Sequence, residues 1–354
     1  MRKALIERKD MDTEIFRILP NETNDPALDR AAEILRDGGL VAFPTETVYG
    51  LGGIATYEEA AQKIYKAKGR PSDNPLIIHV AAPADAERYA QTSELYYKLA
   101  SAFMPGPLTV ILKKKDNIPD AVTGGLPTVA VRCPSHPLAR ALIRKTGEAI
   151  AAPSANLSGS PSPTSGEHVI SDLSGRIDAI IDGGDCEIGL ESTIVMLEGE
   201  TVTLLRPGAV TADALSCICE SVRIAPAVTE ALAENERPLS PGMKYRHYAP
   251  KAPLVLLDGD EEPVLSYMYR QQNGDKCVVI CYTEDVEYLR NERLIVIVDR
   301  DDLDAQAKNL FSALRRADEM DGEIVYAHLP PKEGMGLALY NRLIRAAAHT
   351  VLKV

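Results

Sequence analysis

Apolar positions along the chain recur at two different periods, and the alternation between them sets out a series of strands and helices. LDRAAEILRDGG (28–39) has helical spacing and a Gly-Gly stop, and GLVAFP is a short apolar strand closed by Pro44. Thr56 followed by Glu59 has the pattern of a capping box, opening a helix over YEEAAQKIYKAKG that Gly69 ends. NPLIIHVA, PLTVILKKK, TVAVRCP, EAIAAPSAN, DAIIDGG, STIVML and TVTLL read as strands, with helices near 83–103, 135–146 and 211–220. Residues 1–220 therefore make one large α/β domain built on a many-stranded, mixed sheet.

Residues 221–251 lose any sustained period, and their prolines mark a linker between domains. Its end, SPGMKYRHYAP (240–250), holds more ring and cationic side chains than a spacer needs, which suggests a lid folded back over a ligand site. From 252 to 354 the two periods return: APLVLL, a helix near 261–272, KCVVICY, LIVIVD, the amphipathic DLDAQAKNLFSALRRADEM, EIVYAHL, and a final helix over GLALYNRLIRAAAHTVL. That is a small Rossmann-like α/β domain, and with no GxGxxG it implies no dinucleotide.

Composition narrows the class. The chain has 354 residues, 45% of them hydrophobic, so it can bury two ordinary cores. Six cysteines without a CxxC pair do not form a secreted disulfide framework and point to a reducing cytoplasm. MRKALIERKD lacks the apolar stretch of a signal peptide, and no segment is long enough to span a bilayer, so no membrane partner is expected. A net charge of −12 disfavours indiscriminate nucleic-acid binding. Yet residues 51–150 carry thirteen Lys/Arg against nine Asp/Glu, while residues 151–200 carry one against nine. A basic zone inside an acidic protein suits a confined anion such as a nucleotide.

The common nucleotide and hydrolase signatures, GxxxxGK[ST], HExxH and GxSxG, are absent, so any such site is built differently. PTETVYGLG (44–52) follows an apolar strand and could be a phosphate loop, a nucleophile site or a tight turn. In KAKGRPSDNPLIIH (66–79), Lys66, Lys68 and Arg70 end a helix, and two prolines stiffen the loop that aims the arginine. Such cations also serve simply to offset a helix dipole. Arg132 in TVAVRCP and Arg206 in LLRPG each close an apolar strand just before a proline; a charge there is paired structurally or faces an anionic ligand. APSANLSGSPSPTS and GLEST add hydroxyls and amides at further strand ends. Ligands of open α/β sheets gather at such ends, so these stretches argue for one site.

In this order, PTETVYGLG, KAKGRPSDNPL, APSANLSGSPSPT, GLESTIV, LLRPG and SPGMKYRHYAP resemble the YrdC-like family of L-threonylcarbamoyladenylate synthases, in its long form with an additional C-terminal domain. The resemblance runs from about residue 14 to the C-terminus. It implies an open, twisted mixed sheet around a basic cavity. It also implies a reaction in which L-threonine, bicarbonate and ATP give threonylcarbamoyl-AMP and pyrophosphate, for modification of the adenosine beside the tRNA anticodon. By the same resemblance Thr47, His79, Arg132, Ala152 and Ser192 bind threonine, and Arg70, Asn74, Thr128, Ser154, Ser162, Arg206 and Tyr245 bind ATP. Lys66 and Lys68 are further phosphate contacts. Mg2+ accompanies the nucleotide, held mainly by its phosphates, and the product passes to the tRNA threonylcarbamoyl transferase machinery, with tRNA itself a candidate partner.

Two other classes fit part of the pattern: a module binding tRNA or double-stranded RNA, and an enzyme transferring carbamoyl to a different acceptor. An RNA surface calls for broad exposed cations and stacking rings. With no Trp, four Phe and an acidic balance, the sequence favours the enzyme.

Overall fold

The computed structural model describes residues 12–230, 247–272, 276–289 and 292–354. Two sheets organise them. The larger has twelve strands. Its main path runs Glu14–Arg17, Ala179–Asp182, Val41–Phe43, Gly50–Ile54, Ile150–Ala152, Ile77–His79, Thr128–Arg132, Leu108–Lys114, Thr193–Glu198, Thr201–Arg206, Ser221–Ile224, and Ala90–Gln91 pairs off it with Leu108–Lys114. Parallel and antiparallel pairs mix along this path, so the sheet is open and mixed as the sequence suggests. The smaller sheet has five strands, all parallel, in the order Leu294–Val296, Cys277–Cys281, Ile324–His328, Leu254–Asp258, Val351–Lys353. Among the described residues no helix is long and apolar enough to cross a membrane.

Apolar periodicity placed most elements correctly, and local turn chemistry moved the rest. The helix Glu58–Lys68 ends at Gly69 in a left-handed cap, but its N-cap is Tyr57, which makes no side-chain capping bond. The Thr56–Glu59 capping box therefore does not form. The stretch near 83–103 is not one helix: a 3-10 turn over Pro83–Arg88 precedes a two-residue strand, and Ser93, accepting from the Tyr96 amide, starts the helix Glu94–Phe103. At the C-terminus the helix Gly334–Ala346 stops early, because Ala348 and His349 turn the chain through positive φ and Val351–Lys353 becomes an edge strand. Ser221–Ile224, inside the stretch read as linker, adds an outer strand to the large sheet.

Gly50–Ile54 is a strand that the sequence hid, since GLGGI lacks the side chains by which strands are read. The structure supplies a reason for the glycine. A Cβ on Gly52 would lie 2.6 Å from Ile150 Cγ2 and 2.8 Å from Phe43 Cε1.

The two domains share an apolar core. Val48 and Leu190, from the large domain, pack in one cluster with Tyr248, Phe311, Leu314, Leu339 and Leu343 of the linker end and small domain. Each such buried side chain contributes roughly 1.5–3 kcal/mol. The helix Leu303–Glu319 presses its backbone against the turn before Leu190: Gly189, at φ +81°, would place a Cβ 2.5 Å from Lys308 Cα. Backbone cannot yield as a flexible side chain can. Gly189→Ala is expected to cost about 1–3 kcal/mol, from the left-handed backbone and the contact together, read as a lowered urea midpoint. An unchanged midpoint would mean that the two domains are not seated this closely.

Candidate active site

One edge of the large sheet collects the charged residues. His79 and Arg132 are register partners on adjacent parallel strands, and Thr109 lies opposite Arg132 on the next. Thr109 and Arg206 both align with Ile194, so Ser192 and Arg206 reach the same edge. Ile77 shares its strand with His79 and, two residues away, shows its side chain to the same face. A cavity against this face is lined by Thr45, Val48, Tyr49, Lys68, Arg70, Ile77, His79, Arg132, Ala152, Ser154, Asn156, Glu191, Ser192, Arg206, His247 and Tyr248, among others.

Arg132 is buried and reaches Glu46 Oε1 through one terminal nitrogen at 2.7 Å. The other Glu46 oxygen accepts the Ser135 amide at 3.1 Å. The Arg132 Nε has no hydrogen-bond partner among the described residues. The two readings of Arg132, salt bridge or ligand contact, thus hold together: the pair fixes the guanidinium, and another of its nitrogens stays uncommitted beside the cavity. His79 is equally fixed. Its Nδ1 lies 3.3 Å from the Ile150 carbonyl, which can only accept, so Nδ1 carries the proton and Nε2 keeps a lone pair. Burial, with Arg132 adding to it, lowers the His79 pKa to about 3, leaving a neutral ring.

Thr47 is fully buried and turned away from the cavity. The Thr45 hydroxyl donates to the Val48 carbonyl at 2.6 Å, so Thr47 Oγ1 donates to Thr45 Oγ1 at 2.9 Å. Thr45, which sequence reasoning passed over, is the hydroxyl on the wall. Ser192 is bridged to Thr109 at 2.7 Å and accepts from Arg206 through both its hydroxyl (3.2 Å) and its carbonyl (3.0 Å).

On another side of the cavity, Arg70 donates to the carbonyls of Asn74 (3.4 Å) and Pro75 (3.2 Å), and its Nε is unpartnered among the described residues. Burial lowers the pKa of Arg70 and of Arg206 to about 10, still cationic near neutrality. Asn74 is buried, its side-chain oxygen without a partner among the described residues. Lys68 gives its ammonium to the loop after Ala152, reaching the carbonyls of Ser154 and Asn156 and the Asn156 side chain. Three acceptors use its three donors, so Lys68 braces that loop. Ser154 and Ala152 are on the wall, whereas Ser162 sits behind it, donating to Glu191 at 2.5 Å. Thr128 lies at the far end of the strand from Arg132, and Lys66 is exposed; neither lines the cavity. Tyr245 lies outside the described residues. The end of the linker does come back to the site: His247 and Tyr248 are buried in the cavity wall, and the Ala249 amide donates to the Gly159 carbonyl at 3.0 Å.

Thr45, Glu46, Glu191 and Tyr248 are wall-forming or wall-bracing residues that sequence reasoning missed. The signal for the carboxylates was their setting, since a charge in an apolar stretch needs a buried counterpart elsewhere in the chain.

Comparison with known proteins shows the family. Residues 33–208 match the family model described as "Telomere recombination", and residues 210–348 match "Threonylcarbamoyl-AMP synthase, C-terminal domain". The chain is 45% identical over 334 residues to the threonylcarbamoyl-AMP synthase of Bacillus subtilis, covering 94% of this chain and 96% of that protein. The chain belongs to the threonylcarbamoyl-AMP synthase family. The synthase of Pyrococcus abyssi is 43% identical over 334 residues, covering 92% of this chain and 95% of its own. A crystal structure of Pyrococcus abyssi Sua5 complexed with L-threonine superimposes with a TM-score of 0.89 at 40% identity, over 97% of this chain and all of that one.

Burial makes the site sensitive to acid. The pKa values of His79, His168 and His247 are lowered from 6.5 to about 3, 4 and 3, burial being the first cause in each. Each ring is neutral when folded and takes a proton on unfolding. The stability is therefore fully present above pH 6.5 and is lost as pH falls from there towards 4 and below. Calorimetry across that window should show Tm falling, with a shallower slope in His168→Gln. A flat Tm would mean that these rings are not held neutral.

Proposed function

We propose that the protein makes threonylcarbamoyl-AMP from L-threonine, bicarbonate and ATP, releasing pyrophosphate. One observation carries the reading: a single cavity joins an arginine braced by a carboxylate, a neutral histidine with a free lone pair, and two further arginines held for an anion. Arg132 takes the threonine carboxylate. His79 Nε2 accepts a hydrogen bond from the threonine hydroxyl or amine, and Val48, Ile77 and Ala152 give the methyl group an apolar wall. Ser192 orients the amino-acid end, Thr45 stands nearest it, and Thr47 holds Thr45 from behind. Arg70 and Arg206 face the triphosphate, with the Ser154 loop alongside, and Asn74 is assigned to ATP by resemblance, its carbonyl accepting from Arg70. Thr128, Ser162 and Tyr245 are assigned to ATP by resemblance alone, Ser162 acting through Glu191.

The threonine nitrogen bonds to the carbon of CO2 released from bicarbonate and loses a proton, giving a carbamate. A carbamate oxygen then bonds to the α-phosphorus while the bond from that phosphorus to the bridging oxygen breaks, and pyrophosphate leaves. No protein nucleophile is required. The site contributes placement and charge neutralisation.

Among the described residues no three carboxylate, histidine or cysteine side chains gather to hold a metal, and both oxygens of Glu191 are engaged. The described residues thus offer magnesium no cage; Mg2+ is proposed to arrive on the triphosphate, and no step is assigned to it. The free space in the cavity is about 50 Å³, small beside the several hundred Å³ of ordinary ligand pockets. His247 and Tyr248 therefore form a strap that lifts for entry. All six cysteines are free, in keeping with a cytoplasmic enzyme. Its product would pass to the transferase that modifies the adenosine beside the tRNA anticodon, with tRNA a candidate direct partner.

Threonine-dependent pyrophosphate release tests the reading, with mass spectrometry of the adenylate and serine as control. Arg132→Met combined with Glu46→Gln keeps the buried charge balanced. It should lower kcat/KM for threonine about a hundredfold or more while ATP affinity changes by less than about threefold. Normal turnover at low threonine would remove Arg132 from the carboxylate role.

A further inference from the structure

The small domain braces the cavity wall from behind with one fully buried side chain. Arg342, on the helix Gly334–Ala346, has no exposed surface and meets Glu191 twice: Nε to the carboxylate at 2.8 Å, a terminal nitrogen to the backbone carbonyl at 3.1 Å. Its remaining terminal nitrogen donates to the Pro207 carbonyl at 2.8 Å and the Asn341 side chain at 3.0 Å. Glu191 and Pro207 are the chain neighbours of Ser192 and Arg206. One guanidinium therefore ties together the two turns that bring a hydroxyl and a cation to the ligand.

We infer that Arg342 is a positioning residue for the reaction, holding Glu191 as a carboxylate so that Ser192 and Arg206 keep their places and the Arg206 charge stays available to the nucleotide.

Geometry and charge both support this. Glu191 uses its second oxygen to accept the Ser162 hydroxyl at 2.5 Å, a bond that requires an acceptor there. Around Glu191 stand Arg342 from the small domain, Arg206 from its strand end, Lys68 from the helix Glu58–Lys68, and Tyr248 from the strap. Burial opposes ionisation of Glu191, but the charges of Arg342 and Arg206 and the Ser162 bond outweigh it, so its pKa is lowered. Without Arg342 two things change. Burial is less opposed, and the Glu191 charge that remains falls on Arg206, the group meant for phosphate. The neighbouring anchors place the helix accurately: Asn341 donates to the Val228 carbonyl and Arg345 to the Ala227 carbonyl, each at 2.7 Å. On the other helix Arg315 holds Asp172 through both terminal nitrogens and reaches the Pro161 carbonyl beside Ser162.

The inference rests on the reaction proposed above, and pyrophosphate release by the unaltered protein checks that separately. The test is kcat/KM against pH for the full chain and for Arg342→Met, Arg342→Lys, and Arg342→Met with Glu191→Gln. In Arg342→Met, kcat/KM should drop about tenfold at the alkaline end and fall further on acidification, with an inflection that the unaltered protein lacks. Arg342→Lys keeps a cation for Glu191 while losing the Pro207 and Asn341 bonds, so it should lower Tm yet keep the original pH profile. The double variant should lose the inflection. A purely structural arginine predicts the opposite: Arg342→Met and Arg342→Lys would both lower Tm, with parallel pH profiles. That result overturns the inference. Should Arg342→Met not fold, Arg342→Gln, which keeps donors in place but removes the charge, takes its role: a new acidic inflection supports the inference, and a profile parallel to that of the unaltered protein overturns it.

Discussion

A guanidinium taken wholly out of water has to be matched by acceptors at close range, or its desolvation makes the fold untenable. Arg342 meets that demand with a carboxylate and three further acceptors, two of them backbone carbonyls of the opposite domain. The acceptors must then stand where the guanidinium requires, within tenths of an ångström. Three of the four, on Glu191 and Pro207, belong to the turns carrying Ser192 and Arg206. The geometry of the ligand site is in this way written partly in the small domain, which contributes no phosphate- or carboxylate-binding side chain assigned above.

Glu46 and Arg132 repeat the arrangement inside the large domain. In both pairs one partner lies in a turn and the other on a regular element, the strand Thr128–Arg132 or the helix Gly334–Ala346. Rigid elements are good rulers and turns are poor ones; a buried ion pair transfers the precision of the first to the second. Breaking such a pair from one side costs about 3–5 kcal/mol, since the remaining charge stays buried. A turn held by that penalty does not wander as substrates come and go. The same turns are cross-tied by backbone bonds, Ile188 to Glu46 at 2.8 Å and Gly189 to Thr47 at 3.1 Å, which makes the two anchored segments one unit.

How much of this was legible in the sequence depended on the range of the interactions involved. Helix and strand periods depend on neighbours in the chain, so most strands, the α/β alternation and the two-domain layout could be read directly. Gly50–Ile54 could not, because its packing against Phe43 and Ile150 is tertiary and its residues show no strand pattern. Arg132, Arg206 and Arg70 stood out as charges at apolar strand ends or in a stiffened loop, and the structure brings all three to one cavity. Their partners did not stand out. Glu46 is 86 residues from Arg132, and Glu191 is 151 from Arg342. Pairing over such distances leaves no local trace beyond the oddity of a charge amid apolar neighbours. Thr47 shows the same limit at short range: the motif marks the turn, while only the folded backbone puts Thr45 on the cavity wall and leaves Thr47 bonded to it.

The strap follows from these constraints. A cavity walled by Arg70, Arg132, Arg206 and Lys68 repels any further cation and, left open, would hold water against every donor. His247 covers it as a neutral ring, its pKa lowered to about 3 by burial first and by Arg70, Arg345, Lys68 and Arg206 in addition. Tyr248 beside it, at φ +63°, sets its ring 5.2 Å from Phe311 of the small domain, while the Arg342 guanidinium lies 6.0 Å from the same ring. A tyrosine in left-handed backbone costs of order 1–3 kcal/mol, which the stacking must offset. The strap is thereby seated on the small domain's apolar face through Tyr248 and tied to the cavity wall through the Ala249 amide on Gly159, contacts that are separate from both ion pairs.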